Sequence, residues 1–167
     1  IGRENIDSEH RMRLSLNCIV VRSGDEILLV DTGMGNKLGG TGRERAFPGE
    51  YGLLLDGLGA LGLGPADITV VANIHLHADH CCWNTVVGAD GAVRPTFPNA
   101  RYFIQAGEYE AARNPNDRTR GTYFAENFEP LEAAGQLELV EGETDLIPGV
   151  RFWPTPGHTA DHASIAL

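Results

Sequence analysis

Only three cysteines occur in 167 residues, Cys18 and the adjacent pair Cys81-Cys82. An odd count without Cys-x-x-Cys spacing argues against a disulfide framework or a structural zinc knuckle, and makes reduced, intracellular protein the default. Positive charge is also scarce: 13 Lys and Arg against 23 Asp and Glu leave a net charge of −10. Such a chain repels nucleic-acid backbones, so no nucleic-acid partner is expected. No apolar run approaches the ~18 residues needed to cross a bilayer, and no signal peptide is visible. Membrane association therefore has no support, and a cytoplasmic location is the expectation. Neither a Gly-x-Ser-x-Gly elbow nor a phosphate-binding Gly-Lys-Ser/Thr loop is present, which removes two common catalytic designs.

What is present suffices for one core. With 42% hydrophobic residues, residues 1–167 read as a single domain. The pattern predicts a hairpin of Leu14 to Arg22 with Glu26 to Val30, turning at Ser23-Gly24-Asp25. Gly35 to Gly49 is a polar, glycine-rich excursion that reads as a flap or a surface loop. Glu50 to Leu63 reads as a helix ended by Gly64-Pro65, and Asp67 to Ile74 as a strand. Further strands are expected at Arg101 to Gln105, Leu137 to Val140, Val150 to Trp153 and His162 to Leu167. A helix is expected at Ala106 to Arg113 and a glycine-closed helix end at Leu131 to Gly135. Gly57-Leu58-Gly59-Ala60-Leu61-Gly62 fits a dinucleotide fingerprint by letter. It lies near a helix end rather than after a strand, so that reading is rejected.

Half of the six histidines fall in His75-Leu76-His77-Ala78-Asp79-His80. If the strand conformation of Val70 to Ile74 persists, His75 and His77 project to one side, whereas two helical residues are rotated by about 200°. The chain must then turn, and Asp79 is suited to start a helix, leaving Asp79 and His80 pointing back. One loop thus offers two imidazoles to one ion, and a carboxylate with an imidazole to a second. His158, in the turn Thr155-Pro156-Gly157-His158-Thr159, can add a third nitrogen, as a catalytic zinc with one open position requires. The plainer alternatives are a solvated histidine loop and a turn histidine bonded to backbone.

These two motifs, with Leu29-Val30-Asp31-Thr32-Gly33 upstream, resemble in order the metallo-β-lactamase superfamily, from about Leu14 to the last residue. Phe97-Pro98-Asn99-Ala100 and Thr144 to Val150 are most similar to the branch of N-acyl homoserine lactonases and methyl parathion hydrolase. The resemblance implies an α+β fold, a four-layer αβ/βα sandwich of which the chain covers the first half and the start of the second. It implies a first metal on His75, His77 and His158 and a second on Asp79 and His80, with Asp31 supporting the site. His162 is expected behind the ligands or in packing. Family members complete the second site with an aspartate and a histidine further on, so the chain is read as C-terminally incomplete.

The function implied is a zinc-dependent hydrolase with two zinc ions per complete domain, iron or manganese being alternatives. A metal-bound hydroxide would attack a lactone, ester or related small molecule, with Asp79 orienting it or moving its proton. Trp83, Tyr123 and Phe124 are the residues expected around the substrate. Cys82 stands where the family commonly has glycine; buried thiols at a helix start are expected there. Two other classes remain: a mononuclear iron dioxygenase on the same three histidines, and an inactive homologue. The di-iron flavoprotein branch is disfavoured, because it places a glutamate where His77 stands. Oligomeric state is open, a homodimer included.

Overall fold

Short, continuous apolar runs form the central strands of two packed sheets. The computed structural model describes residues 6–8, 10–12, 14–35, 37 and 53–167. In chain order its first half contains β1 (Ile19–Ser23), β2 (Glu26–Val30), α1 (Leu53–Ala60), β3 (Val70–Ala72), α2 (Ala78–Cys81), β4 (Thr85–Val87) and β5 (Val93–Pro95). The second half adds β6 (Arg101–Gln105), α3 (Ala106–Arg113), α4 (Glu129–Ala133), β7 (Leu137–Val140), β8 (Thr144–Ile147), β9 (Val150–Pro154) and β10 (Ala163–Ala166).

One sheet has the order β1-β2-β3-β6-β7 and the other β10-β9-β8, with β4-β5 a separate hairpin. β2, β3, β6 and β7 run parallel, and β1 joins the edge antiparallel with Ile19 opposite Val30. Strand alternation divides the large sheet's residues between two cores. Leu28, Val30, Val70, Ala72 and Phe103 face Leu146, Ile147, Val150, Phe152 and Ala163 of the second sheet. Leu29, Val71, Tyr102 and Ile104 instead meet Leu58, Tyr109, Ala112 and Leu131 of the helices. Each fully buried leucine, isoleucine or phenylalanine here contributes about 1.5–3 kcal/mol. Helix, sheet and sheet layers result, an α+β arrangement with three of the four expected layers among the described residues.

Arg101–Gln105, Ala106–Arg113 and Leu137–Val140 form where the pattern predicts them. Strand β1 starts only at Ile19, because its partner β2 is five residues long and pairs no further than Val30. Helix α1 stops at Ala60, short of Leu63. Gly62 adopts φ +71, and the Leu63 and Gly62 amides return to the carbonyls of Leu58 and Gly59, a Schellman stop. The start of that predicted helix, Glu50 to Gly52, lies outside the described residues. So does the glycine-rich excursion apart from Gly35 and Lys37. The Lys37 ammonium is half-buried against the α2 end, donating to the carbonyls of Cys82 and Thr85 and to Thr85 Oγ1.

Candidate metal centre

Parallel strands direct their carboxyl ends to one rim, where open α/β sheets bind ligands. At this rim β2 leads into Asp31, β3 leads into His75 to His80, and β6 leads into α3. A backbone bond from Ala163 N to Ile74 O, 2.9 Å, brings the second sheet to the same place. The turn carrying His158 is closed by Thr155 N to His162 O at 2.8 Å and Gly157 N to Thr159 O at 2.9 Å.

Two overlapping ligand groups emerge, His75 with His77 and His158, and His75 with Asp79 and His80. In each group the ligand atoms lie within 4.8 Å of one another. His77 Nδ1 and His158 Nε2 approach to 3.1 Å, and the His75 ring is 4.0 Å from the His80 ring, centroid to centroid. His75 is 2% exposed, yet neither ring nitrogen has a hydrogen-bond partner. An unpaired buried polar group is costly, and lone pairs turned toward other histidines suit a cation. The donor set, neutral imidazole with carboxylate, is one that zinc accepts. Burial and the neighbouring histidines push His75 down to about 2. His77 is lowered by burial and by His158. Both imidazoles are thereby held neutral, the form that ligates.

His80 differs. Burial alone would lower it, but its Nδ1 lies 2.7 Å from Asp31 Oδ2, and this partner raises it above the ordinary histidine value. Asp31 has φ 54, a left-handed conformation that Asp tolerates better than most residues. The turn is held by Asp31 N to Ala72 O and Thr32 N to His80 O, while Asp31 Oδ1 accepts the Ile74 amide at 2.9 Å. Below it Thr32, Asn84 and Asn73 form a buried chain of side-chain hydrogen bonds.

Asp79 lies inside the first turn of α2, whose N-cap is His77 rather than Asp79. Its carboxylate is 3.6 Å from His80 Nε2. His162 accepts or donates at Nδ1 with Thr155 Oγ1, 3.0 Å away, and its ring is 5.2 Å from that of His75. Tyr123 packs on His77 at 4.9 Å. Trp83 and Phe124 are buried, and Phe124 packs with Met34, Ala78 and Cys82. They do not line the groove beside Asp79 and His80. That groove, of about 200 Å³, is formed instead by Leu14, Ser15, Leu16 and Asn17 with Asp31 and Gly33. Cys81 and Cys82 are buried at the end of α2, both accepting from Asn127. Neither joins a ligand group among the described residues.

Glu108 carried no expectation from the sequence. It is 1% exposed, and its Oε1 accepts from Leu76 N at 2.9 Å and from the Tyr123 hydroxyl at 3.0 Å. A surface-type residue in a short helix gives no sequence signal of this role. Beside it, a side chain at Gly107 would collide with the Asp161 carboxyl group, so glycine lets the His158 segment rest on the start of α3.

Known proteins are similar to this chain in sequence and in fold. An N-acyl homoserine lactonase of Bacillus cereus is 29% identical, over 93% of this chain and 59% of that protein. One from Rhizobium radiobacter is 39% identical, over 68% of this chain and 41% of its own length. A structure from Staphylococcus aureus, described as a probable metal-dependent hydrolase, superposes with TM-score 0.86 at 26% identity, covering 96% of this chain and 56% of that one. A dizinc quorum-quenching lactonase gives TM-score 0.68 at 26% identity, covering 89% and 50%. The chain spans about half the length of these proteins. The family model of the metallo-beta-lactamase superfamily matches residues 12–167, and with the fold and the histidine rim agreeing, the chain belongs to that superfamily.

Proposed function

We propose that this chain carries the metal-binding half of a zinc-dependent hydrolase acting on lactones, esters or related small molecules. The observation that carries the reading is His75, buried, held neutral and unpaired at both nitrogens within the two ligand groups. His75, His77 and His158 would hold a first ion, and Asp79 and His80 would contribute to a second. A zinc ion supplies Lewis acidity and a water nucleophile near neutral pH.

The chain's own residues do the rest. Asp31 fixes the His80 ring and, by accepting at Nδ1, leaves Nε2 on the side of Asp79. Asp79, about one-third exposed, is placed to orient a nucleophile or to accept its proton at a carboxylate oxygen. Leu14 and Leu16, both exposed, give the groove an apolar wall suited to an acyl chain. The lactonase relatives support this substrate class.

The test is hydrolysis of an N-acyl homoserine lactone and of an aryl ester by protein loaded with zinc, and after chelation. Zinc-dependent turnover of either supports the proposal; zinc-loaded protein that turns over neither contradicts it. Because the three-histidine group alone would serve a mononuclear iron oxidoreductase, the same preparation is assayed for iron and for oxygen uptake.

A further inference from the structure

We infer that Glu108 is a positioning residue of the metal centre, locking His75-Leu76-His77 in ligating geometry and supplying a fixed anionic neighbour to the bound cation. The inference rests on the metal reading above and extends it to a residue outside both ligand groups. Glu108 is the third residue of α3, where a glutamate ordinarily folds back to cap its own helix. Here it does not: Oε1 reaches the amide of Leu76, 32 residues earlier, between two of the proposed ligands.

The same oxygen takes the Tyr123 hydroxyl, and the Tyr123 ring packs on His77. One carboxylate atom therefore holds the backbone between the two histidines and the ring beside the second. Oε2 is buried without a partner, an arrangement that costs free energy unless something compensates the charge. The Glu108 carboxylate acts electrostatically on both His77 and His162. A divalent ion held among these imidazoles would meet the same field. Groups behind metal ligands that orient them and raise their basicity typically change metal affinity about 10–100-fold.

The test compares the zinc-loaded protein with E108Q and E108A, reading zinc affinity by competition with a chromogenic chelator and thermal midpoints of the metal-free forms. E108Q keeps shape and an acceptor oxygen but loses the charge. The expected result is a metal-free midpoint near that of the unsubstituted protein, with a zinc Kd raised about tenfold or more, and a larger rise for E108A. A purely structural glutamate would lower the metal-free midpoint and leave affinity alone. Unchanged zinc affinity in E108Q overturns the inference. If E108Q does not fold, Y123F carries the test, since it removes only the hydroxyl that donates to Oε1. Zinc held more loosely supports the role, and unchanged affinity contradicts it. Failure of the unsubstituted protein to bind zinc overturns the metal centre itself, whereas equal binding by protein and variants overturns only the role of Glu108.

Discussion

Asp31 and His80 meet at 2.7 Å, Oδ2 to Nδ1, at the ends of segments 49 residues apart. Because Asp31 also receives the Ile74 amide, one carboxylate ties the end of β2 to both ends of the histidine loop. The pairing explains why a left-handed aspartate is kept at a position where a glycine would relax the backbone: glycine would free the chain and lose the imidazole's partner.

Asp31→Asn separates these roles. Asn tolerates the left-handed conformation and still accepts the Ile74 amide. Its amide group, however, donates to His80 Nδ1 and drives the ring proton to Nε2, removing the lone pair on the Asp79 side. Metal affinity measured by chelator competition should fall about 10–100-fold while the metal-free protein stays folded. Unaltered affinity would show that Asp31 serves only the turn.

All three thiols are pushed up by burial, Cys18 to about 12, and Cys81 and Cys82 also upward. Thiolate is the reactive form, so native protein at pH 8 should react only slowly with a disulfide reagent. The same protein in denaturant should release three equivalents per chain. Rapid reaction of Cys81 or Cys82 in the native state would mean that the α2 end opens.

Alkaline stability follows with a definite sign. Cys18 and Tyr109 are both raised to about 12 in the folded chain, so the native state retains protons that the unfolded chain releases. The stabilisation is complete below the ordinary thiol and phenol values and is lost as pH rises through them toward 12. The thermal midpoint should fall between pH 8.5 and roughly 10.5, each group contributing at most about 1.4 kcal/mol per pH unit. Cys18→Ser should flatten the first part of that decline; an unchanged slope would exclude Cys18 as a source.

The candidate ligands were legible because metal binding demands particular residue types: the spacing of His75, His77, Asp79, His80 and His158 draws attention to them, and the fold brings them into two groups. Arg101–Gln105 and Ala106–Arg113 were equally plain, their composition switching at one boundary. The hairpin Thr85–Val87 with Val93–Pro95 and the strand Thr144–Ile147 were missed. These strands have three or four residues, and partners distant from their own local pattern decide them. Glu108 was invisible for a related reason. Its chemistry comes from burial against Leu76 and Tyr123, which only the β3–β6 pairing creates. Trp83 and Phe124, aromatic residues near a motif, are buried, Phe124 against Met34, Ala78 and Cys82.

The central claim is that the histidine rim binds a catalytic cation, and calorimetric zinc titration of metal-free protein beside His77→Ala tests it most directly. The account predicts at least one ion per chain in the unsubstituted protein, and binding weakened at least tenfold in the variant, consistent with the loss of one of three ligands. Zinc bound with equal affinity and stoichiometry by both proteins, or by neither, would contradict it.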